Sequence, residues 1–227
     1  MSSDVDSIVQ ELVSSITDSS AKQIFYNILQ QHRHVFDLSK RITAKIQLPH
    51  VIVTGNHLPI SVHPYYRTVE QRKELQQEVD KLLLDHIVRP STSPWSSSVI
   101  LKKKPDGTFR FLVDFHRLNS ITKKDAYPQP SPEELIYRLS GHTYFTKLDL
   151  KSGYFQIPIA EEDKEKTVFV TPDGHYEFNV LPQGLMNAPA SFQRVMNNLL
   201  ATGAWRHIDE VLSVLNKAHF KVSSSAI

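Results

Sequence analysis

Residues 102–119 read Lys-Lys-Lys-Pro-Asp-Gly-Thr-Phe-Arg-Phe-Leu-Val-Asp-Phe-His-Arg-Leu-Asn. Two apolar runs, Val99 to Leu101 and Phe109 to Phe115, flank Pro105-Asp106-Gly107. The fixed φ of proline and the permissive φ of glycine suit a tight turn, so the stretch predicts a β-hairpin with a lysine-rich tip. Charge is concentrated in the same place. Between 102 and 124 seven basic residues (Lys102, Lys103, Lys104, Arg110, Arg117, Lys123, Lys124) stand against Asp106 and Asp114, a local balance of +5 in a chain whose net charge is +2. A patch of this kind neutralises phosphates and releases counterions. A solvated hairpin face gives the same count, and charge alone does not separate the two readings.

Helical and extended patterns surround this hairpin. Leu75, Val79, Leu82 and Leu83 recur at helical spacing through 69–88, with Glu and Lys on the other face and Pro90 closing the segment. Residues 6–36 predict two short helices separated by a Ser-rich break at 18–20, and 46–62 predict extended segments and turns. Downstream come a short helix over 132–139 and two strands, Tyr144 to Leu150 and Phe155 to Ile159, separated by Lys151-Ser152-Gly153. A second hairpin, Thr167 to Thr171 and Tyr176 to Val180, turns at Pro172-Asp173-Gly174. Asn187 can cap, and Pro189 open, a helix through Phe192, Val195, Met196 and Leu199, and Ile208 to Ala218 is helical. Helices and antiparallel hairpins in this mixture predict an α+β fold.

Composition bounds the function classes. The 227 residues are 40% hydrophobic and 22% charged, which argues for a folded chain. The absence of cysteine removes disulfides, thiolate metal sites and cysteine nucleophiles, and favours an intracellular protein. No stretch approaches the roughly 18 apolar residues of a membrane span. Gly-x-Ser-x-Gly, Gly-x-x-x-x-Gly-Lys and Gly-x-Gly-x-x-Gly do not occur, and the 11 histidines show no His-Glu-x-x-His spacing. His32 and His34, beside Arg33, are expected to face solvent. The acidic cluster Glu161, Glu162, Asp163 and Glu165 is expected to be a solvated turn, and Asp114 a structural partner rather than a metal ligand.

The 102–119 block, the Asp149-Leu150-Lys151-Ser152-Gly153-Tyr154-Phe155-Gln156-Ile157 segment and Leu181-Pro182-Gln183-Gly184-Leu185-Met186-Asn187-Ala188-Pro189 together resemble the reverse transcriptase of gypsy-type LTR retrotransposon Pol polyproteins, in order and in spacing. The resemblance implies a polymerase fingers-palm fragment with a mixed or antiparallel palm sheet. Residues 1–68 would be the connector after the protease, 69–206 the fingers and part of the palm, and 207–227 a palm-flanking helix and polar tail. It implies RNA-directed DNA polymerase activity for the family, through two metal ions that clamp the attacking and leaving oxygens. Asp149 and the backbone carbonyl of Leu150 would hold Mg²⁺, or Mn²⁺ in its place. Tyr154 would pack under the incoming sugar. Lys103 and Arg110 would bind the triphosphate, and Gln183 and Gly184 would face the nucleotide and template. The partners implied are an RNA or DNA template-primer and deoxynucleoside triphosphates.

One departure from the family is decisive. Members continue after the helix that contains Phe192-Gln193-Arg194 into a hairpin bearing Tyr-x-Asp-Asp, whose aspartates complete the metal site. Here Leu200-Ala201-Thr202-Gly203-Ala204-Trp205-Arg206 runs directly into His207-Ile208-Asp209-Glu210-Val211-Leu212, as if an internal segment had been excised at about residue 205. Asp209 and Glu210 are adjacent on a helix, point about 100° apart and do not replace the pair. Two divalent ions ~4 Å apart repel by roughly 16 kcal/mol at an effective dielectric of ~20, more than one carboxylate offsets. The sequence therefore predicts an impaired polymerase, with a non-catalytic nucleic-acid-binding remnant or a pseudogene product without selected function as the competing readings.

Overall fold

The computed structural model describes residues 2–38, 43–105, 107–141, 147–200 and 208–223. They form two compact units, one of residues 1–46, 127–156 and 193–227, the other of residues 47–126 and 157–192. Both units mix helices with extended chain, in keeping with the α+β expectation.

In the second unit the helix α3 (Val69–Leu84) starts on a capping box. The Thr68 side chain accepts from the Gln71 amide and the Gln71 side chain accepts from the Thr68 amide, which satisfies two of the free N–H groups of the first turn. Leu75, Val79 and Leu82 form its buried stripe. Five strands follow: β1 (Val88–Pro90), β2 (Ser97–Lys103), β3 (Phe109–Asp114), β4 (Phe169–Thr171) and β5 (Gly174–Phe178). They make one mixed sheet in the order β1-β5-β4-β2-β3, antiparallel throughout except for the parallel pair β2–β4. Both hairpins expected from the sequence are present. Phe169 is the centre of the core: the rings of Phe111, Tyr176 and Phe178 lie with centroids 5.3, 5.7 and 5.4 Å from it, within the range that favours aromatic pairs. The helix α4 (His116–Ile121) follows β3 directly.

The first unit holds α1 (Ser2–Leu12), α2 (Ser19–Gln31), α5 (Pro132–Leu139) and α8 (Ile208–Lys217), together with the part of α7 (Ala188–Leu200) from Gln193 onward. Two helices form as expected, but the break between them spans 13–18 rather than 18–20: Ser19 and Ser20 open α2, and Asp18 caps it by accepting from the Ala21 amide at 2.8 Å. Val9, Leu29, Val35, Phe36, Leu212, Leu215, Phe220 and Val222 are buried. No helix among the described residues is long and apolar enough to cross a membrane.

Five sequence expectations are corrected. Phe155 to Ile159 is not a strand: Gly153–Gln156 is a 3-10 turn, and Pro158 and Ile159 make only isolated bridges, to Val180 and His50. Ser152 at φ 50° bends the chain into that turn, and Pro158 has no N–H to give to a ladder. Of the Tyr144 to Leu150 strand, 144–146 lie outside the described residues, 147–149 are irregular and Leu150 alone forms a bridge, to Val222. The Asn187 side chain is no helix cap but bonds the main chain at Lys123 and Asp125. His32 does not face solvent but is only 6% exposed. Asp163 belongs to no solvated turn: it sits in α6 (Glu161–Lys164), 3% exposed, and binds Lys166 and the Ile52 amide.

Candidate active site

The sequence-derived site residues divide between the two units. In the second unit β2 and β3 pair in a register that sets Lys102 opposite Arg110 and Lys103 opposite Phe109. Strand side chains alternate faces, so Lys103 and Arg110 belong to opposite faces of the ribbon. The hairpin closes through the Gly107 amide to the Lys104 carbonyl at 3.0 Å and the Lys104 amide to the Thr108 carbonyl at 2.7 Å. Gly107 sits at φ 85°, which its lack of a Cβ permits. Lys102, Lys103, Lys104 and Arg110 are all exposed, which leaves a cationic tip in water.

Arg110 Nη2 donates to Gln183 Oε1 at 3.2 Å, so the structure brings the fingers arginine to the Leu-Pro-Gln-Gly turn. That turn is fastened by two asparagines the sequence reading did not single out for this purpose. Asn119 Nδ2 donates to the Gly184 carbonyl at 2.8 Å, and Asn119 Oδ1 accepts from the Met186 amide at 2.9 Å. In return Asn187 Nδ2 donates to the Lys123 carbonyl at 2.8 Å and Asn187 Oδ1 accepts from the Asp125 amide at 3.0 Å. Each amide group thus satisfies a donor and an acceptor of the loop opposite it. Gly184 stands at φ 100°, with the Val113 carbonyl 3.5 Å from where a Cβ would be, so a side chain there would be strained by its backbone more than by its neighbours. Asp114 uses Oδ1 to accept from the His116 amide at 3.0 Å at the start of α4.

In the first unit Asp149 is exposed, and among the described residues its carboxylate has no hydrogen-bond or ion-pair partner. Its main chain is firmly held. The Ser223 amide donates to the Asp149 carbonyl at 2.7 Å, and the Lys151 amide donates to the Lys221 carbonyl at 3.0 Å. These two bonds flank the Leu150–Val222 bridge, which makes it a non-hydrogen-bonded antiparallel pair, so the Leu150 N–H and C=O point away from Val222 toward the other edge. The Val222 amide correspondingly turns the other way, to the Val35 carbonyl at 3.0 Å. Among the described residues the Leu150 carbonyl has no donor. Tyr154, half-buried, rides on the 3-10 turn.

An exposed carboxylate beside an unsatisfied main-chain carbonyl is a set of hard oxygens suited to one Mg²⁺ or Mn²⁺ ion that keeps most of its waters. Among the described residues no three His, Cys, Asp or Glu side chains stand together as a metal site. The segment at about residue 205, where the sequence departs from the family, lies outside the described residues. Glu210 lies on α8 and is exposed.

The family model described as reverse transcriptase (RNA-dependent DNA polymerase) matches residues 101–214. The chain belongs to the reverse transcriptase family. It is similar to the retrovirus-related Pol polyprotein from transposon opus of Drosophila melanogaster, 33% identical over 246 residues, with 95% of this chain and 24% of the relative covered. The polyprotein from transposon gypsy of the same organism is 33% identical over 235 residues, covering 92% of this chain and 23% of that one. The chain therefore spans about a quarter of the length of these relatives. Both matches are also longer than the 227 residues of the chain, so each includes positions of the relative with no counterpart here. Among solved structures, foamy viral protease-reverse transcriptase in complex with RNA/DNA hybrid superposes with TM-score 0.84 at 21% identity, covering 97% of this chain and 33% of that one. The native prototype foamy virus enzyme gives TM-score 0.81 at 22% identity, covering 96% and 32%. The fold is the α+β fingers-palm portion of a reverse transcriptase.

Proposed function

We propose that this chain is a reverse transcriptase fragment of a retroelement that keeps groups for template-primer and nucleotide but has lost half of its metal-binding centre, so that nucleotidyl transfer is impaired. The observation that carries the reading is a contradiction within one match. The family model runs through residues 101–214, yet nothing in that span is a Tyr-x-Asp-Asp sequence. The surplus length of the opus and gypsy matches supports an internal loss.

In this reading Asp149 and the Leu150 carbonyl hold a single divalent ion, which when bound would polarise phosphate oxygens. A two-ion clamp needs more carboxylate than Asp149 supplies. Arg110 offers the triphosphate a planar fork that Gln183 orients by its hydrogen bond, and Lys103, on the other face of the ribbon, adds a point charge to the cationic tip. Gly184 lets a base or sugar approach the main chain closely, and Tyr154 excludes a ribose 2′-hydroxyl by clash. The foamy viral structures solved with RNA/DNA hybrid and with double-stranded DNA support a template-primer as the nucleic-acid partner. Residues 1–68 act as the connector that precedes the fingers.

Binding tests the retained half of this proposal. The chain is expected to bind an RNA/DNA template-primer with an affinity that falls steeply with salt. Replacing both Lys102 and Lys104, exposed members of the same basic patch that carry no triphosphate role, by Ala should lower the slope of log K against log salt by about 2, near 0.9 for each phosphate no longer neutralised. Undetectable binding, or binding indifferent to salt, would remove nucleic acid as the partner.

A further inference from the structure

The geometry points to Gln156, acting with the C-terminal segment 221–223, as the positioning residue for the Asp149 and Leu150 oxygens; the inference rests on the metal role proposed for those two residues. Gln156 is 5% exposed and every polar group of its side chain is engaged. Nε2 donates to the Lys151 carbonyl at 2.7 Å and to the Lys221 carbonyl at 2.9 Å, while Oε1 accepts from the Lys221 amide at 2.6 Å. Its main-chain carbonyl accepts from the Ala44 amide at 2.8 Å, which fixes the residue itself.

One amide thereby joins two pieces of chain that are distant in sequence. It closes the 151–156 turn that carries Tyr154, and it sets Lys221 in register with Lys151. Register is the property that matters. With Lys221 beside Lys151, Ser223 reaches the Asp149 carbonyl, Leu150 falls in the non-hydrogen-bonded position, and the Leu150 carbonyl faces the side opposite Val222. A slip of one residue would reverse that direction and spend the carbonyl on the ladder. Among the described residues, 149–151 make no main-chain bond to a distant segment except those to 221 and 223. The segment is in turn braced by the 3-10 turn Arg33–Phe36, since Lys221 Nζ donates to the His34 carbonyl at 2.6 Å and the Val222 amide donates to the Val35 carbonyl. The Gln156 side chain at the centre of the network is buried and fully satisfied, the condition under which such groups specify a single arrangement.

The test uses Gln156→Met, of similar length without hydrogen bonds, and Ser223→Pro, which removes the amide that donates to Asp149 and leaves Gln156 intact. Mn²⁺ binding to the whole chain is followed by electron paramagnetic resonance, with far-UV circular dichroism and melting temperature measured in parallel. The wild-type chain should bind Mn²⁺ in a manner lost in Asp149→Ala. Both variants should bind it about tenfold more weakly at a temperature where their dichroism equals that of wild type, the lower end of what loss of a supporting hydrogen bond does to metal affinity. Variants that melt earlier yet bind Mn²⁺ as wild type does would overturn the inference. If the wild type shows no Asp149-dependent Mn²⁺ binding, the metal reading fails, and amide exchange then decides positioning by itself. Exchange at Lys151 and Ser223 should accelerate in Gln156→Met while α1 and α2 are unchanged, and unaltered exchange there would overturn the clamp.

Discussion

Replacing Asp163 by Ala is expected to remove about 3–5 kcal/mol of folding free energy, the range found when one partner of a buried ion pair is deleted. Asp163 Oδ1 lies 2.6 Å from Lys166 Nζ, with side-chain exposures of 4% and 18%. Its other oxygen accepts from the Ile52 amide at 2.9 Å, and Lys166 Nζ donates to the Ile52 carbonyl at 2.7 Å. Together the pair does for Ile52 what a neighbouring strand would do, satisfying both main-chain groups of a residue that is 2% exposed. Alanine would leave the Ile52 N–H unpaired in the interior and take the carboxylate from the part-buried Lys166 ammonium, which keeps only the Ile52 carbonyl, and the cost of unmade bonds exceeds the gain of the bonds when made. Chemical denaturation measures the difference. A loss below about 1 kcal/mol would mean that the carboxylate is hydrated, as for an ordinary surface pair.

Glu161, two residues earlier, supplies the contrast. Its side chain is 67% exposed while it contacts Lys164 and Arg89. Hydrogen bonds from Lys164 and then from Arg89 hold its carboxyl below the usual carboxylate range. A depressed carboxylate contributes stability that is present above its unfolded pKa and lost as pH falls through the folded one. The contribution should therefore fade only in acid, and Glu161→Ala at neutral pH should change stability far less than Asp163→Ala.

The second large effect concerns chemistry. Inserting the Tyr-x-Asp-Asp hairpin of a gypsy-type relative between Leu200 and Ile208 is expected to raise Mg²⁺-dependent primer extension by about 10³-fold or more over the parent chain. The added carboxylates would offset the repulsion between two divalent ions and so permit the second ion, whose stabilisation of transition-state charge amounts to several kcal/mol, and about 4 kcal/mol corresponds to that factor. Extension by the restored chain should vanish in Asp149→Ala. If the insertion folds, binds template-primer and still leaves extension at the parent level, the missing hairpin is not what limits this protein.

How much of this was legible in the sequence depended on whether a feature is local. The β2–β3 hairpin, the β4–β5 hairpin and α3 follow from turn residues and from the spacing of apolar side chains, both of which act within a dozen residues. The Asp149-to-Ile159 region was misread because the strand pattern of Phe155 to Ile159 competes with Ser152 at positive φ, and because Gln156 hydrogen-bonds to a segment 65 residues away. Asp163 looked like one of four equivalent acids, and only its partner Ile52, 111 residues distant, distinguishes it. Of the candidate site, Arg110 and Gln183 stood out through the family resemblance and prove to be in contact. Asn119 and Asn187, which hold the turn between them, stand inside two of the blocks that carry the resemblance, but their role was not legible, because an asparagine's two-way hydrogen bonding shows only once its partners are in place.

Primer extension on an RNA template, with Mg²⁺ and with Mn²⁺, tests the central claim most directly when the purified 227-residue chain is run beside its Asp149→Ala variant. The account predicts that both bind the template-primer and that neither extends it above background. Processive copying of the RNA by the unaltered chain, abolished by Asp149→Ala, would contradict it.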